Sequence, residues 1–133
     1  MSAFVLERLL PSVRLRFDEL LRSLADGEPR SYALAELNDL LAGLAPGEFR
    51  GLIADKALME LSPYLRNYVA AMVEQAAHQR DVEPPDWVAE IEPLEEPRFA
   101  APLAGLRLHL LASAPVPFRR RNIFVDSTVG DRV

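Results

Sequence analysis

Between Val82 and Leu106 the chain reads VEPPDWVAEIEPLEEPRFAAPLAGL, with prolines at Pro84, Pro85, Pro93, Pro97 and Pro102. A proline inside a helix removes a backbone donor and clashes with the preceding turn, and in a central strand it leaves a ladder position empty. Nothing longer than a turn of helix fits between these prolines, and one turn is expected at Asp86–Ala89. The stretch therefore divides the chain into a part free to form long helices, residues 1–81, and a part that is not, residues 82–133. Trp87, Ile91, Leu94 and Phe99 recur along it as spaced apolar anchors, so it is expected to lie on a surface.

The first part carries helical periodicity throughout. VRLRFDELLRSLADGE places Val13, Phe17, Leu20, Leu21 and Leu24 at three- and four-residue intervals with charges between, the pattern of an amphipathic helix. Ser12 is its expected cap, and the preceding SAFVLERLL reads as a short helix that Pro11 stops or kinks. SYALAELNDLLAGL puts Leu34, Leu37, Leu40, Leu41 and Leu44 on one stripe. APGEFRGLIADKALMEL is read as the partner of a helical hairpin, with Phe49, Leu52, Ile53 and Ala57 inward and Lys56 contributing its stem. SPYLRNYVAAMVEQAAHQRD has the firmest start, Ser62 as cap and Pro63 as first helical residue, and a wide apolar face from Leu65 to Ala76. The expected fold is all-α: a small helical bundle over 1–81 with Phe17, Leu20, Leu24, Leu37, Leu41, Phe49, Ile53, Leu65, Val69, Met72 and Val73 in its core. A proline-rich extended segment, a short helix around Leu103–Leu111, whose LRLHLL alternation would also suit a strand, and an extended C-terminal tail follow over 82–133.

Charge is distributed unevenly about a net of −5. Residues 82–98 hold one basic and six acidic side chains, whereas residues 99–133 hold five basic and two acidic. An acidic body repels nucleic-acid phosphates, while a basic tail suits an acidic partner. With no cysteine, disulfides and thiolate metal sites are excluded. No apolar run reaches the ~20 residues of a membrane span, and no signal-peptide core is legible at the N-terminus, so a cytoplasmic protein is expected.

Catalytic parts are scarce. There is no glycine-flanked serine, no dinucleotide-binding glycine pattern and no phosphate-cradling loop, so the chain is not expected to be an enzyme and no cofactor is expected. Glu74, His78 and Asp81 would share a face if the helix ran through all three, a spacing compatible with a metal but also common on solvated helix faces. His109 has no evident partner group. The 34–61 hairpin resembles a helix-turn-helix reader in outline, but its second helix would offer Glu48 and Asp55 beside Arg50 and Lys56, a poor face for a major groove.

The pattern that stands out is FRRRNIFV, Phe118 to Val125: three arginines running into a short apolar burst. Arginine suits two-pronged contacts to carboxylate and phosphate, and the bland alternative is that Arg119–Arg121 form a solvated patch pairing with the body's excess acid, for example the Glu92–Glu96 run. The segment from Pro84 to Val133, with Pro84, Pro85, Trp87, Phe99, Leu106, Leu110, Pro115 and FRRRNIFV, resembles the C-terminal portion of antitoxin-like proteins encoded beside nucleotidyltransferase-like toxins of the AbiEii/MenT type. The resemblance covers a little over a third of the chain; the helix-turn-helix carried at the N-terminus of many such proteins is not matched here. It implies a bacterial antitoxin that neutralises its toxin by direct protein–protein contact. Such toxins bind a nucleotide and metal through acidic residues, which an arginine-bearing tail would meet. The expected partner-binding residues are Trp87, Phe118, Arg119, Arg120, Arg121, Asn122, Ile123, Phe124 and Val125. The competing expectations are a DNA-binding regulator using the hairpin and a self-contained helical homodimer.

Overall fold

The computed structural model describes residues 3–26, 30–54, 56–99 and 114–124. Their order is α1 (Ala3–Ala25), α2 (Arg30–Ala42), a 3₁₀ helix (Pro46–Gly51), α3 (Lys56–Met59), α4 (Pro63–Gln79), α5 (Asp86–Glu90), β1 (Arg98–Phe99), α6 (Val116–Arg119) and β2 (Ile123–Phe124). The architecture is all-α, a small bundle with one short parallel pair in which Arg98 lies opposite Ile123 and Phe99 opposite Phe124. The expected helix at Leu103–Leu111, His109 and Val125 lie outside the described residues.

α4 is the central element. A helix with one apolar stripe sits at a surface, whereas one buried nearly all round sits in the middle. Leu65, Val69, Met72 and Val73 are buried together with Ala70, Ala71, Ala76 and Ala77, and the small alanines let neighbours approach closely. α2 packs against one side of it, α5 and α6 against others, and α1 packs on α2 and α3. One hydrophobic core joins Phe17 and Leu21 of α1, Leu37 and Leu41 of α2, Phe49 and Leu58 of the connecting segment, Val69 of α4, and Val88, Phe118 and Ile123 from beyond the bundle.

The ends of α4 are built as its sequence demands. Ser62 Oγ accepts a hydrogen bond from the Leu65 amide at 3.2 Å, and Pro63 opens the helix. At the other end the Val82 amide donates to the Ala77 carbonyl and the Asp81 amide to His78, with Asp81 at φ 55°. This left-handed stop satisfies carbonyls the helix leaves free. Arg80 then reaches across to the end of α2, donating to the carbonyls of Leu44, at 2.8 Å, and Ala42. A cation there also meets the negative end of the α2 dipole. Arg16 bridges α1 and α2 by pairing with Glu36.

Three expectations are corrected. α1 is one helix from Ala3 to Ala25; Pro11 sits inside it and Ser12 is not a cap, the lost hydrogen bond of one proline being outweighed by the turns on either side. The second hairpin helix does not form: Pro46–Gly51 is 3₁₀, Leu52–Ala54 is irregular, and α3 is one turn. Gly47 and Gly51 weaken helix locally, and burial of Phe49, Leu52 and Leu58 is achieved by wrapping under α1 instead. Ile53, expected inside, is 48% exposed as a result, and the Lys56 side chain is exposed, its ammonium 3.8 Å from Glu60.

Candidate protein-docking surface

The arginine triplet divides in three directions. α6 is a single turn that Pro115 introduces and Pro117 continues, and residues three apart on a turn share a face. Phe118 and Arg121 therefore both point inward. Phe118 is fully buried, edge-on to Tyr68 at 5.3 Å between ring centres, and Tyr68 is edge-on to Tyr64 at 5.9 Å. Burial raises the Tyr68 phenol to about 12. Arg98 closes this aromatic row, its guanidinium 4.4 Å above the Tyr64 ring.

Arg121 is 6% exposed. Its guanidinium donates to the Asn67 side-chain oxygen at 2.9 Å, to the Ile91 carbonyl at 3.0 Å and to the Val88 carbonyl at 2.6 Å. Burial lowers its pKa, with Glu74 acting in the opposite direction. The next residue, Asn122, takes φ 62°, a conformation asparagine tolerates better than most, and so turns the chain from α6 into β2. Its side-chain amide donates to the Leu94 carbonyl, and its own carbonyl accepts from the Arg98 amide at 2.8 Å. Asn67 completes the arrangement from α4 by donating to the carbonyls of Pro63 and Glu92, each at 2.9 Å. Arg121, Asn122 and Asn67 thus hold the backbone of Val88 to Leu94.

The expectation that the arginines pair with acid on the body is met at one position, Arg120 with Glu74, and not at the carboxylates of the Glu92–Glu96 run. Those carboxylates, with Glu83, Asp86 and Glu90, make no ion pair among the described residues. Arg120 turns out to Glu74, 3.4 Å away and 58% exposed at its own side chain, while Arg119 is exposed and its side chain makes no hydrogen bond or ion pair among the described residues.

The expected partner-binding residues are therefore distributed as follows. Phe118, Arg121, Ile123 and Phe124 are buried against their own chain, Asn122 is half-buried, and Trp87 is half-buried with its indole N–H donating to the Leu52 carbonyl at 3.0 Å. Arg119 and Arg120 face solvent. Asn67 was not singled out from the sequence; the signal was there, a lone amide amid the buried aliphatics of α4.

Two open grooves flank the clamped segment. One, of about 670 Å³, is lined by Met59, Arg66, Ile91, Leu94 and the glutamates Glu90, Glu92, Glu95 and Glu96. The other, of about 500 Å³, is lined by Arg50, Leu52, Ile53, Trp87, Asp86, Glu83 and again Glu90. Met59 is 55% exposed at the first and Ile53 48% at the second. Glu74, His78 and Asp81 do not form a metal site: α4 ends at Gln79, Asp81 lies beyond its left-handed stop, Glu74 is engaged with Arg120, and no group of three metal-ligating side chains occurs among the described residues. Among the same residues no helix is long and apolar enough to cross a membrane.

No protein-family model, curated protein or solved structure matches the chain.

Proposed function

We propose that this chain is a binding protein of the antitoxin type, which neutralises a nucleotidyltransferase-like toxin by direct contact, and that Arg119 and Arg120 are the residues it presents. The resemblance of FRRRNIFV to the antitoxin-like tail motivates the reading. The observation that carries it is the division of labour in the triplet: Phe118 and Arg121 lock the turn into the core, and the two arginines between them are exposed on a backbone already ordered, Arg120 with Glu74 beside it. A pre-ordered cation loses less freedom on binding than one on a loose tail, and guanidinium groups match carboxylates in two-pronged fashion. The acidic residues with which such a toxin holds its metal and nucleotide are a target of that chemistry. The hairpin reading of DNA has lost its second helix and gains no support from the surface, whose unpaired charge is acidic around Glu90.

The test is co-purification with the product of the gene adjacent to its own. Tagged chain is expressed with that protein untagged, and elution in fixed ratio is expected. Reversing both arginines (Arg119→Glu with Arg120→Glu) is expected to abolish co-elution and cellular protection, whereas Arg22→Glu on the exposed face of α1 leaves both intact. Circular dichroism melts of each variant establish that the fold persists. Wild-type chain eluting alone, or co-elution surviving the double reversal, would overturn the proposal.

A further inference from the structure

The same clamp that consumes Arg121 creates a second surface of opposite sign. Arg121, Asn122 and Asn67 take the carbonyls of Val88, Ile91, Glu92 and Leu94, so the peptide groups of this segment are satisfied internally while its carboxylates are not. Glu90 lines both grooves. On either side of it lies an aliphatic side chain that the fold leaves about half in water, Met59 and Ile53. One cation lines each groove, Arg66 in the first, where it donates to the Met59 and Leu61 carbonyls, and Arg50 in the second. The acids outnumber them, and none of these acids forms an ion pair among the described residues. Exposed unpaired acids and exposed large apolar side chains are each unremarkable alone. Their alternation across two grooves that share a wall is a complementary mould: it fits a chain carrying cations with apolar side chains interspersed.

From this we infer that the Glu90 ridge and its two grooves bind a cationic amphipathic peptide segment of a partner protein, one apolar side chain entering beside Met59 and another beside Ile53, with lysine or arginine side chains meeting Glu83, Glu90, Glu92 and Glu95. The commitment to this occupant rests on charge. An anionic or nucleic-acid ligand is repelled by the rim, and a purely apolar one leaves the carboxylates without partners. The surface is distinct from Arg119 and Arg120, so it does not rest on the antitoxin reading and its test is separate.

The probe is a fluorescein-labelled synthetic ten-residue peptide of alternating lysine and arginine pairs around two leucines, titrated with the full chain and read by anisotropy. A second probe replaces both leucines by serine. Saturable binding of the first is expected, about tenfold tighter than the second, since two buried aliphatic contacts are worth at least that ratio. Glu90→Lys is expected to weaken the leucine probe by about fivefold to tenfold, and Met59→Ser by about threefold or more, with the melting temperature of each unchanged within a few degrees. Binding is also expected to weaken as salt rises. Equal affinity for the two probes would mean diffuse charge attraction and would overturn the inference, as would unchanged affinity in Glu90→Lys or no binding of the leucine probe.

Discussion

Replacing Arg121 by alanine tests the central claim about this fold, that a charged side chain in a basic run serves as an internal clasp. The substitution leaves three acceptors without their donor: Asn67 Oδ1 and the carbonyls of Ile91 and Val88. At about 1 to 1.5 kcal/mol net for each bond, the loss is roughly 3 to 4 kcal/mol, and the buried aliphatic stem adds about 1 kcal/mol. Against this, the guanidinium no longer has to be stripped of water, which returns part of the total. The net expectation is a destabilisation of about 3 kcal/mol, a large fraction of the stability of a domain this size. Arg121→Met keeps the stem and is expected to lose about 2 kcal/mol. Arg119→Ala, two residues away in the same triplet, should fall within about 0.5 kcal/mol of wild type. Urea titration followed by circular dichroism gives all three. A double-mutant cycle with Asn67→Ala should show coupling of about 1 kcal/mol or more, because the two side chains share one bond and hold one segment. If Arg121→Ala and Arg119→Ala unfold at the same urea concentration, the clasp contributes nothing and the reasoning fails.

Other substitutions probe other parts of the structure. Asp81→Gly is expected to stabilise the chain by about 0.5 to 1 kcal/mol, because φ 55° at the end of α4 suits glycine better than aspartate; a loss of stability by thermal melt would contradict this. Trp87→Phe removes the indole donor to the Leu52 carbonyl and leaves that acceptor unpaired, for an expected loss of about 1 kcal/mol by urea titration. Tyr68 supplies a pH dependence. Its phenol, raised to about 12 by burial, keeps its proton in the fold beyond the point near 10 where an unfolded tyrosine releases it. The folded state then holds more protons, so stability is full below about pH 10 and is lost progressively up to about pH 12, by about 2 to 3 kcal/mol in total. Tyr68→Phe should lose less across that window in urea titrations at stepped pH; an identical pH profile would remove Tyr68 as the cause.

The helices were legible where one signal acted alone. Ser62 and Pro63 announced the start of α4, and the leucines of α2 announced its buried stripe. The segment after Pro46 was misread because burial there obeys a helical spacing, Phe49 with Leu52 and Ala57 with Leu61, while the backbone does not: short apolar intervals are met equally by a 3₁₀ turn followed by a bend. Ile53 was carried inward by that same misreading. Pro11 was overweighted because a proline's local penalty is fixed, whereas the helix around it gains from every turn it adds. At the docking surface, the sequence marked FRRRN as special but not how its residues divide. Three consecutive arginines carry a charge signal that says surface, and only the three-residue interval from Phe118 to Arg121 hints that one of them turns inward. Asn67 and Arg121 find each other across 54 positions, and a match between one amide and one guanidinium at such a separation has no periodicity to betray it.

The clasp has a consequence for how the protein is made. A chain emerging from the ribosome presents α1 to α5 well before Phe118 and Arg121 exist. In that interval Asn67 Oδ1 and the carbonyls of Val88 and Ile91 lack their Arg121 donor, and the Tyr68 face of α4 is without Phe118. Docking of residues 118–124 thus follows the emergence of α1 to α5 in vectorial folding, and a polypeptide cut short before it carries α1 to α5 yet displays a hydrated seam. Truncated copies are thereby distinguishable from finished ones by a protease that tests for local opening, without that protease reading any signal beyond the seam itself.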